Sequence, residues 1–167
     1  ARAKLLERFI RAEGEPLELY ATFQTLEEER RLIQPKATSW RDWPVQFQSP
    51  GPAVHEYGKR HRKRLRFFQY IQWVASEQLG DNRRRSEQTN MTIGLYNDLA
   101  LGAERFGAES WMYQSMLSLD ADCGAPPDSL GPQGQNWGLP PVNPLALRAG
   151  GYELIIRLLR NNLRFGG

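Results

Sequence analysis

The side chains best suited to binding a ligand lie together in one segment, residues 124–141. The segment contains too much Gly and Pro for a helix or a strand. It nevertheless carries groups that hydrogen-bond or stack, namely Asp128, Gln133, Gln135, Asn136 and Trp137. A loop of this length is usually functional or disordered, and disordered segments seldom contain Trp, because its large apolar ring favours burial or a ligand. The sequence therefore predicts a rigid binding loop.

A second candidate is Asp98, which follows the short apolar run 91–96. The run does not alternate between apolar and polar residues, which is typical of a strand buried on both faces. Polar residues just after such strands line the active sites of many α/β proteins. Asp98 therefore either contributes to a site or caps the turn that follows the strand.

Helices are predicted to position both candidates. Apolar residues at helical spacing predict helices over 2–12 and 16–32, separated by Gly14 and ended by Pro35. A longer helix is predicted from Pro52 to about residue 79 or 88.

Between and after these helices the signals differ in strength. Residues 35–52 form a connection whose Trp40 and Trp43 favour packing. Residues 103–120 fit either a short helical turn or a weak strand. Asn143 and the proline after it predict the start of a final helix.

Composition limits the classes of function. The chain has 167 residues, 40% of them hydrophobic and 25% charged, which suits one globular core. Cys123 is the only cysteine and there are two histidines, so neither an internal disulfide nor a protein-built zinc site is expected. The single cysteine is consistent with a reducing cytoplasm. We expect no membrane span, because no apolar run reaches about 20 residues.

The chain has a net charge of +3, and basic residues form runs at 59–64 and 83–85. Such runs either bind nucleic acid or form the solvated face of a helix. Interleaved acidic residues, such as Glu56 and Glu87, favour the solvated face.

The loop also resembles a known family. Its pattern Gly-x-Pro-Pro-Asp, followed by Pro-x-Gly-Gln-x-Trp-Gly-x-Pro, is similar to the active-site loop of the amylomaltases, which are 4-alpha-glucanotransferases. Residues 93–102 resemble that family's strand with a buried aspartate, and residues 68–79 resemble the helix before it. The resemblance is good from about residue 60 to 165 and loose over the first 50 residues.

The resemblance implies an α/β fold, a fragment of a (β/α)8 TIM barrel with an inserted helical subdomain, mostly helical in this chain. Residues 1–50 would form the helical subdomain, and 51–167 a partial barrel that includes loop 124–141. It also implies retaining transfer of alpha-1,4-glucan segments between maltodextrins in the cytoplasm, without cofactor or metal.

Retaining transfer requires two carboxyl groups. The resemblance puts the nucleophile on a strand after residue 167, with the other catalytic carboxylates further on. The chain starts without Met. We therefore expect a piece of a longer protein, which is inactive alone and needs the remainder of its parent chain.

The resemblance assigns Asp98 a supporting role at the catalytic centre. It matches Gln135 and Trp137 to residues that meet the acceptor glucan. Asp128 either binds a sugar hydroxyl or holds the loop through backbone amides. Ser129 and Leu130 depart from the Tyr-Phe pair of many relatives, so the roles of those aromatics are not carried over.

Three alternatives stay open. A hydrolytic alpha-amylase relative would create reducing ends, whereas a transferase conserves their number. A basic helical protein would bind nucleic acid with strong salt dependence, although that leaves the loop unexplained. An independent carbohydrate-binding module would need a completed core, which one predicted strand does not provide.

Overall fold

The computed structural model describes residues 1–100 and 102–166, and it is mostly helical. Its α-helices are α1 Arg2–Glu13, α2 Glu15–Ile33, α3 Pro52–Arg60, α4 Arg62–Gln88, α5 Ala108–Met112, α6 Pro144–Ala149 and α7 Glu153–Leu163. Short 3-10 turns occur at Trp40–Asp42, Val45–Phe47 and Gln114–Met116. The strands are β1 Gly124–Ala125 and β2 Gln135–Asn136, which pair antiparallel.

The first two helices confirm the sequence prediction closely. Gly14 separates them with a φ of 63°, a backbone conformation that glycine adopts without steric cost. Pro16 lies in the first turn of α2, where its missing N–H is not needed. Because α2 ends at Ile33, two residues before Pro35, the expected stop is also confirmed.

The core is an aromatic cluster between α2, the 35–52 connection, α3 and α5. Its buried members are Phe23, Leu26, Trp40, Trp43, Val54, Tyr57 and Trp111. The ring of Phe23 lies 5.2 Å from that of Trp43 and 5.4 Å from that of Trp111. The packing role expected for Trp40 and Trp43 is thus confirmed. The cluster combines side chains from residues 1–50 and 51–167. The predicted boundary between a helical subdomain and a partial barrel at residue 50 stays a prediction about the parent protein.

The long helix breaks at a different place from the one expected. The sequence left open whether this helix ends at about residue 79 or 88. Helix α4 continues to Gln88, with an ion pair between Arg84 and Asp81 across one turn. The interruption instead falls at His61, whose Nδ1 lies 2.9 Å from the carbonyl oxygen of Tyr57 in the last turn of α3.

The predicted strand at 91–96 is wrong for this chain. These residues are irregular, and the side chains of Ile93 and Tyr96 are 66% and 93% exposed. A strand buried on both faces needs neighbouring strands to satisfy its backbone groups. Within the described residues the paired strands are the short β1 and β2, so the apolar run has nothing to pair with.

The C-terminal region forms two helices instead of the single one expected. The Asn143 cap is confirmed, since its Oδ1 accepts hydrogen bonds from the N–H groups of Leu145 and Ala146, both at 3.1 Å. The chain then turns at Gly151 and Tyr152, with φ values of 64° and 62°, before α7 begins. In the ambiguous stretch 103–120, the helical alternative is the one observed, as α5. Across the described residues, no helix is both long and apolar enough to cross a membrane.

Trp111 gives the first testable prediction. Its side chain is fully buried, and its indole N–H donates to the carbonyl oxygen of Phe47 at 2.8 Å. Trp111→Ala should lower the free energy of unfolding by about 3–5 kcal/mol, because it opens a cavity and leaves that carbonyl without its donor. Urea unfolding measures the loss. The control is Leu130→Ala at a side chain that is 95% exposed, with an expected change within about 0.5 kcal/mol. Equal losses in both variants would contradict the assignment of the core.

Candidate functional site

The predicted binding loop is a hairpin. Its backbone pairing starts before the loop, where Ser118 donates to the carbonyl of Pro141 at 2.8 Å, and continues where Cys123 donates to that of Leu139 at 2.8 Å. Gly124 and Ala125 then pair with Asn136 and Gln135. The expectation that the segment contains no strand is therefore wrong at four residues. None of the four paired residues is a proline, so each keeps its backbone N–H donor. Gly124 and Ala125 precede Pro126, and Gln135 and Asn136 lie between Pro132 and Pro140.

The hairpin needs glycine at its far end. Gly134 has a φ of 71°, and a Cβ there would lie 2.7 Å from the carbonyl oxygen of Ala125. A side chain at this position would both strain the backbone and push the two sides of the hairpin apart. The high glycine content is thus compatible with an ordered loop.

Asp128 shapes the tip of the hairpin. Its Oδ1 accepts hydrogen bonds from the backbone N–H of Leu130 at 2.9 Å and of Gly131 at 2.6 Å. Its own N–H donates to the carbonyl of Gly131 at 3.2 Å. These contacts form an Asx turn, which closes a loop without help from the rest of the fold.

Gln135 and Trp137 are brought together on the hairpin. The indole N–H of Trp137 donates to the side-chain oxygen of Gln135 at 3.0 Å. The indole is 54% exposed, although it is a large apolar group. With its oxygen engaged, Gln135 offers its NH2 group as a donor beside an open aromatic face. The pair is suited to a ligand with a flat apolar face and a ring of hydroxyl groups.

Asp98 lies elsewhere in the described structure. Its side chain is exposed, and its carbonyl oxygen accepts a hydrogen bond from Asn162 at 3.0 Å. The neighbouring Asn97 donates to the carbonyl of Asn162, also at 3.0 Å. These two bonds attach residues 97–98 to the end of α7. Among the described residues, no hydrogen bond or ion pair joins Asp98 to the hairpin.

Two residues that sequence reasoning missed support the base of the hairpin. Arg105 donates to the carbonyl oxygens of Leu119 and Ala121 and to the carboxylate of Asp122. The other oxygen of Asp122 accepts a hydrogen bond from the side chain of Asn136 at 2.9 Å. A lone Arg in a stretch of ambiguous structure gives no sequence signal for such a role.

A separate cleft of about 550 Å³ lies between α2, α4, α5 and α7. Gln72 donates to the hydroxyl of Tyr20 in this cleft at 3.2 Å. Burial raises the pKa values of the Glu109 carboxyl and the Tyr113 hydroxyl. Glu109 is therefore a half-buried carboxyl whose ionised form is less favourable than that of a carboxyl in water.

The basic runs are largely paired with acidic side chains. Arg64 donates to both carboxylate oxygens of Glu28, which holds the pKa of that carboxyl below its usual value. Lys59 and Arg60 both lie within 4.0 Å of Glu56. This pairing favours a solvated helical face. Among the described residues, no group of three or more His, Cys, Asp or Glu is arranged to hold a metal ion.

Known proteins resemble the whole chain. A family model described as 4-alpha-glucanotransferase matches residues 1–167. A 4-alpha-glucanotransferase of Haemophilus influenzae is 34% identical over 170 residues, covering 99% of this chain and 24% of that protein. One from Mycobacterium bovis is 31% identical over 178 residues, covering 100% and 24%.

Solved structures agree with this match. The amylomaltase of Corynebacterium glutamicum superimposes with a TM-score of 0.76 at 31% sequence identity, over 99% of this chain and 21% of that one. The amylomaltase of Streptococcus agalactiae, solved in complex with acarbose, gives a TM-score of 0.80 at 16% identity, over 98% and 33%. At that lower identity the likeness shows the fold alone.

The fold is thus one found within amylomaltases. The chain belongs to the 4-alpha-glucanotransferase family, as the loop motif predicted. It spans about a quarter of the length of the curated relatives it matches.

The half-buried Glu109 predicts a pH effect on stability. Burial raises the pKa of the Glu109 carboxyl in the folded protein. The contribution of this group to the free energy of unfolding is therefore fully present below the unfolded pKa of about 4.3, and it is lost as the pH rises through the folded pKa. Glu109→Gln has no charge to bury. The variant should therefore gain in unfolding free energy relative to the native protein as the pH rises from 4 to neutrality.

Urea unfolding at a series of pH values measures this difference. The matched control is Glu77→Gln, which removes an exposed carboxyl from α4 and is measured over the same pH series. A stability difference for Glu109→Gln that does not change with pH would show that its carboxyl is not desolvated.

The Asx turn predicts that Asp128 orders the hairpin tip. Asp128→Ala removes the acceptor of two backbone N–H groups, so the tip should open more often. Limited proteolysis should then cut within 128–134 at least about five-fold faster, an opening free-energy change of about 1 kcal/mol. Asp128→Asn keeps an acceptor oxygen and should restore most of the protection. Gln133→Ala, an exposed change in the same tip, is the control. Unchanged cleavage of Asp128→Ala would exclude this role.

Proposed function

We propose that this chain is part of a 4-alpha-glucanotransferase that disproportionates maltodextrins by retaining transfer of alpha-1,4-glucan segments. The observation that carries the proposal is the exposed pair of Gln135 and Trp137 on an ordered hairpin, in a chain that matches the family over its whole length. An indole held in an exposed position keeps its apolar face in contact with water, which costs free energy unless a ligand covers that face. The proposed ligand is the acceptor glucan.

In this proposal each hairpin residue has a defined task. The face of Trp137 stacks on the apolar face of a glucose ring, while the NH2 group of Gln135 donates to a ring hydroxyl. The sugar then occupies the space that water would otherwise fill. Attack by the acceptor hydroxyl is therefore favoured over attack by water. Asp128 keeps the loop closed through its backbone contacts.

Bond cleavage requires two carboxyl groups, a nucleophile and an acid/base. We propose that both belong to the parent protein beyond residue 167, so the isolated chain is inactive. Asp98 is proposed to support that centre after the parent's strands order the 91–96 segment. The exposure of Ile93 and Tyr96 supports this step, since pairing with strands would bury them.

The proposal extends to the architecture and setting of the parent. Residues 1–50 would be a helical subdomain inserted in a (β/α)8 barrel, and 51–167 a part of that barrel. The reaction requires no cofactor or metal. The single Cys123 supports a reducing compartment such as the cytoplasm.

The experiment uses the parent protein with maltotriose, and follows glucose, longer dextrins and total reducing ends together. Glucose and longer dextrins at constant reducing ends are the expected result. Rising reducing ends would instead identify a hydrolase. If maltotriose is not consumed, the proposed function fails.

Trp137 allows a sharper test in the same protein. Trp137→Ala should raise the KM for the acceptor about ten-fold, equivalent to about 1.4 kcal/mol of binding, while the first cleavage of the donor changes little. Leu130→Ala is the control, because that side chain is 95% exposed on the same hairpin. An unchanged acceptor KM for Trp137→Ala would remove the indole from the binding site.

A further inference from the structure

The base of the hairpin is held by one mostly buried arginine. The Arg105 side chain is only 18% exposed. Its guanidinium reaches three acceptors on residues 119–122, including the carbonyl oxygen of Ala121 at 2.8 Å. A planar guanidinium with five donors can serve several acceptors at fixed angles, which a lysine ammonium cannot do as well.

The contacts continue from this arginine into the ligand-binding side of the hairpin. Asp122 uses one carboxylate oxygen for Arg105 and the other for the side-chain NH2 of Asn136, at 2.9 Å. The side-chain oxygen of Asn136 accepts a hydrogen bond from the N–H of Gly138 at 2.8 Å. Asn136 and Gly138 are the two neighbours of Trp137 in the chain, so these bonds fix the backbone on both sides of the indole.

We propose that Arg105 is a positioning residue for acceptor binding, acting through Asp122 and Asn136 on the orientation of Gln135 and Trp137. The inference rests on the proposed function and names how that site is held. Arg105 itself does not contact the ligand. Its loss should weaken acceptor capture and let water compete, while leaving the cleavage of the donor intact.

The arrangement differs from an ordinary surface ion pair. Exposed pairs contribute little, because solvent screens them and both side chains lose freedom. Here the cation is mostly buried and also binds backbone carbonyls, so its position is fixed by the fold. Arg41 and Asp120 provide the contrast nearby, since they lie 3.5 Å apart with the aspartate side chain 96% exposed.

The test uses the parent protein with a chromogenic maltoside as donor and maltose as the varied acceptor. Arg105→Ala and Asn136→Asp should each raise the acceptor KM about ten-fold and lower the ratio of transfer to hydrolysis by a similar factor. Asn136→Asp places a second carboxylate against Asp122 and breaks the link without removing the arginine. Donor cleavage at saturating acceptor should stay within about three-fold of the native rate.

A paired exchange separates positioning from general damage. In the double variant Asp122→Asn with Asn136→Asp, the new amide donates to the new carboxylate, and that carboxylate still accepts from the N–H of Gly138. The double variant should recover the acceptor KM to within about three-fold of native. Arg105→Lys should show a defect between native and Arg105→Ala, and Arg41→Ala should show none.

Three outcomes would overturn the inference. One is an unchanged acceptor KM and transfer ratio in Arg105→Ala and Asn136→Asp. Another is a loss of donor cleavage in Asn136→Asp with the acceptor KM unchanged, and the third is a double variant no better than Asn136→Asp alone. Each of these outcomes is informative only if the native parent protein transfers glucan segments to the acceptor. A native protein without transfer would refute the proposed function itself and the inference with it.

Discussion

The aromatic contact between α2 and α5 is the constraint on which the rest of the structure depends. Trp111 is fully buried against Phe23, and its indole N–H fixes the carbonyl of Phe47. Leu119, at the entrance to the hairpin, packs against the same cluster. Its carbonyl oxygen accepts a hydrogen bond from Arg105, three residues before α5. The core therefore determines where the base of the hairpin lies, and the hairpin in turn determines where Trp137 is presented.

The helices could be predicted because their signals are local. Gly14 and Asn143 act on neighbouring backbone groups, and the structure uses both as expected. The prediction of a strand at 91–96 failed for this chain because the apolar run is a local signal. Such a run becomes a strand only when partner strands supply its hydrogen bonds. The break at His61 was missed for a related reason. It accompanies packing of Gly58, where a Cβ would lie 3.3 Å from side-chain atoms of both Leu65 and Thr22.

In the candidate site, too, the features with local signals could be predicted and those that depend on distant partners could not. Asp128 acts on residues two and three positions ahead, so its turn is visible in the sequence. The motif also indicated Gln135 and Trp137, although their mutual hydrogen bond came only from the structure. Arg105 gave no signal, since its partner Asp122 is 17 positions away and the pairing depends on how α5 directs the chain between them. Contacts of this kind depend on the fold and not on local spacing.

The hairpin also shows how a protein can keep a large aromatic ring available to a ligand. Burial would order Trp137 but would hide the face that binds. Here the ring stays 54% exposed, while its N–H, its backbone N–H and its two neighbours are held by hydrogen bonds. Hydrogen bonds are directional and use the edges of the residue, so they fix its orientation without covering its face. Such an arrangement needs a firm anchor, because no residue from 121 to 139 is buried. The partly buried guanidinium of Arg105 meets that need.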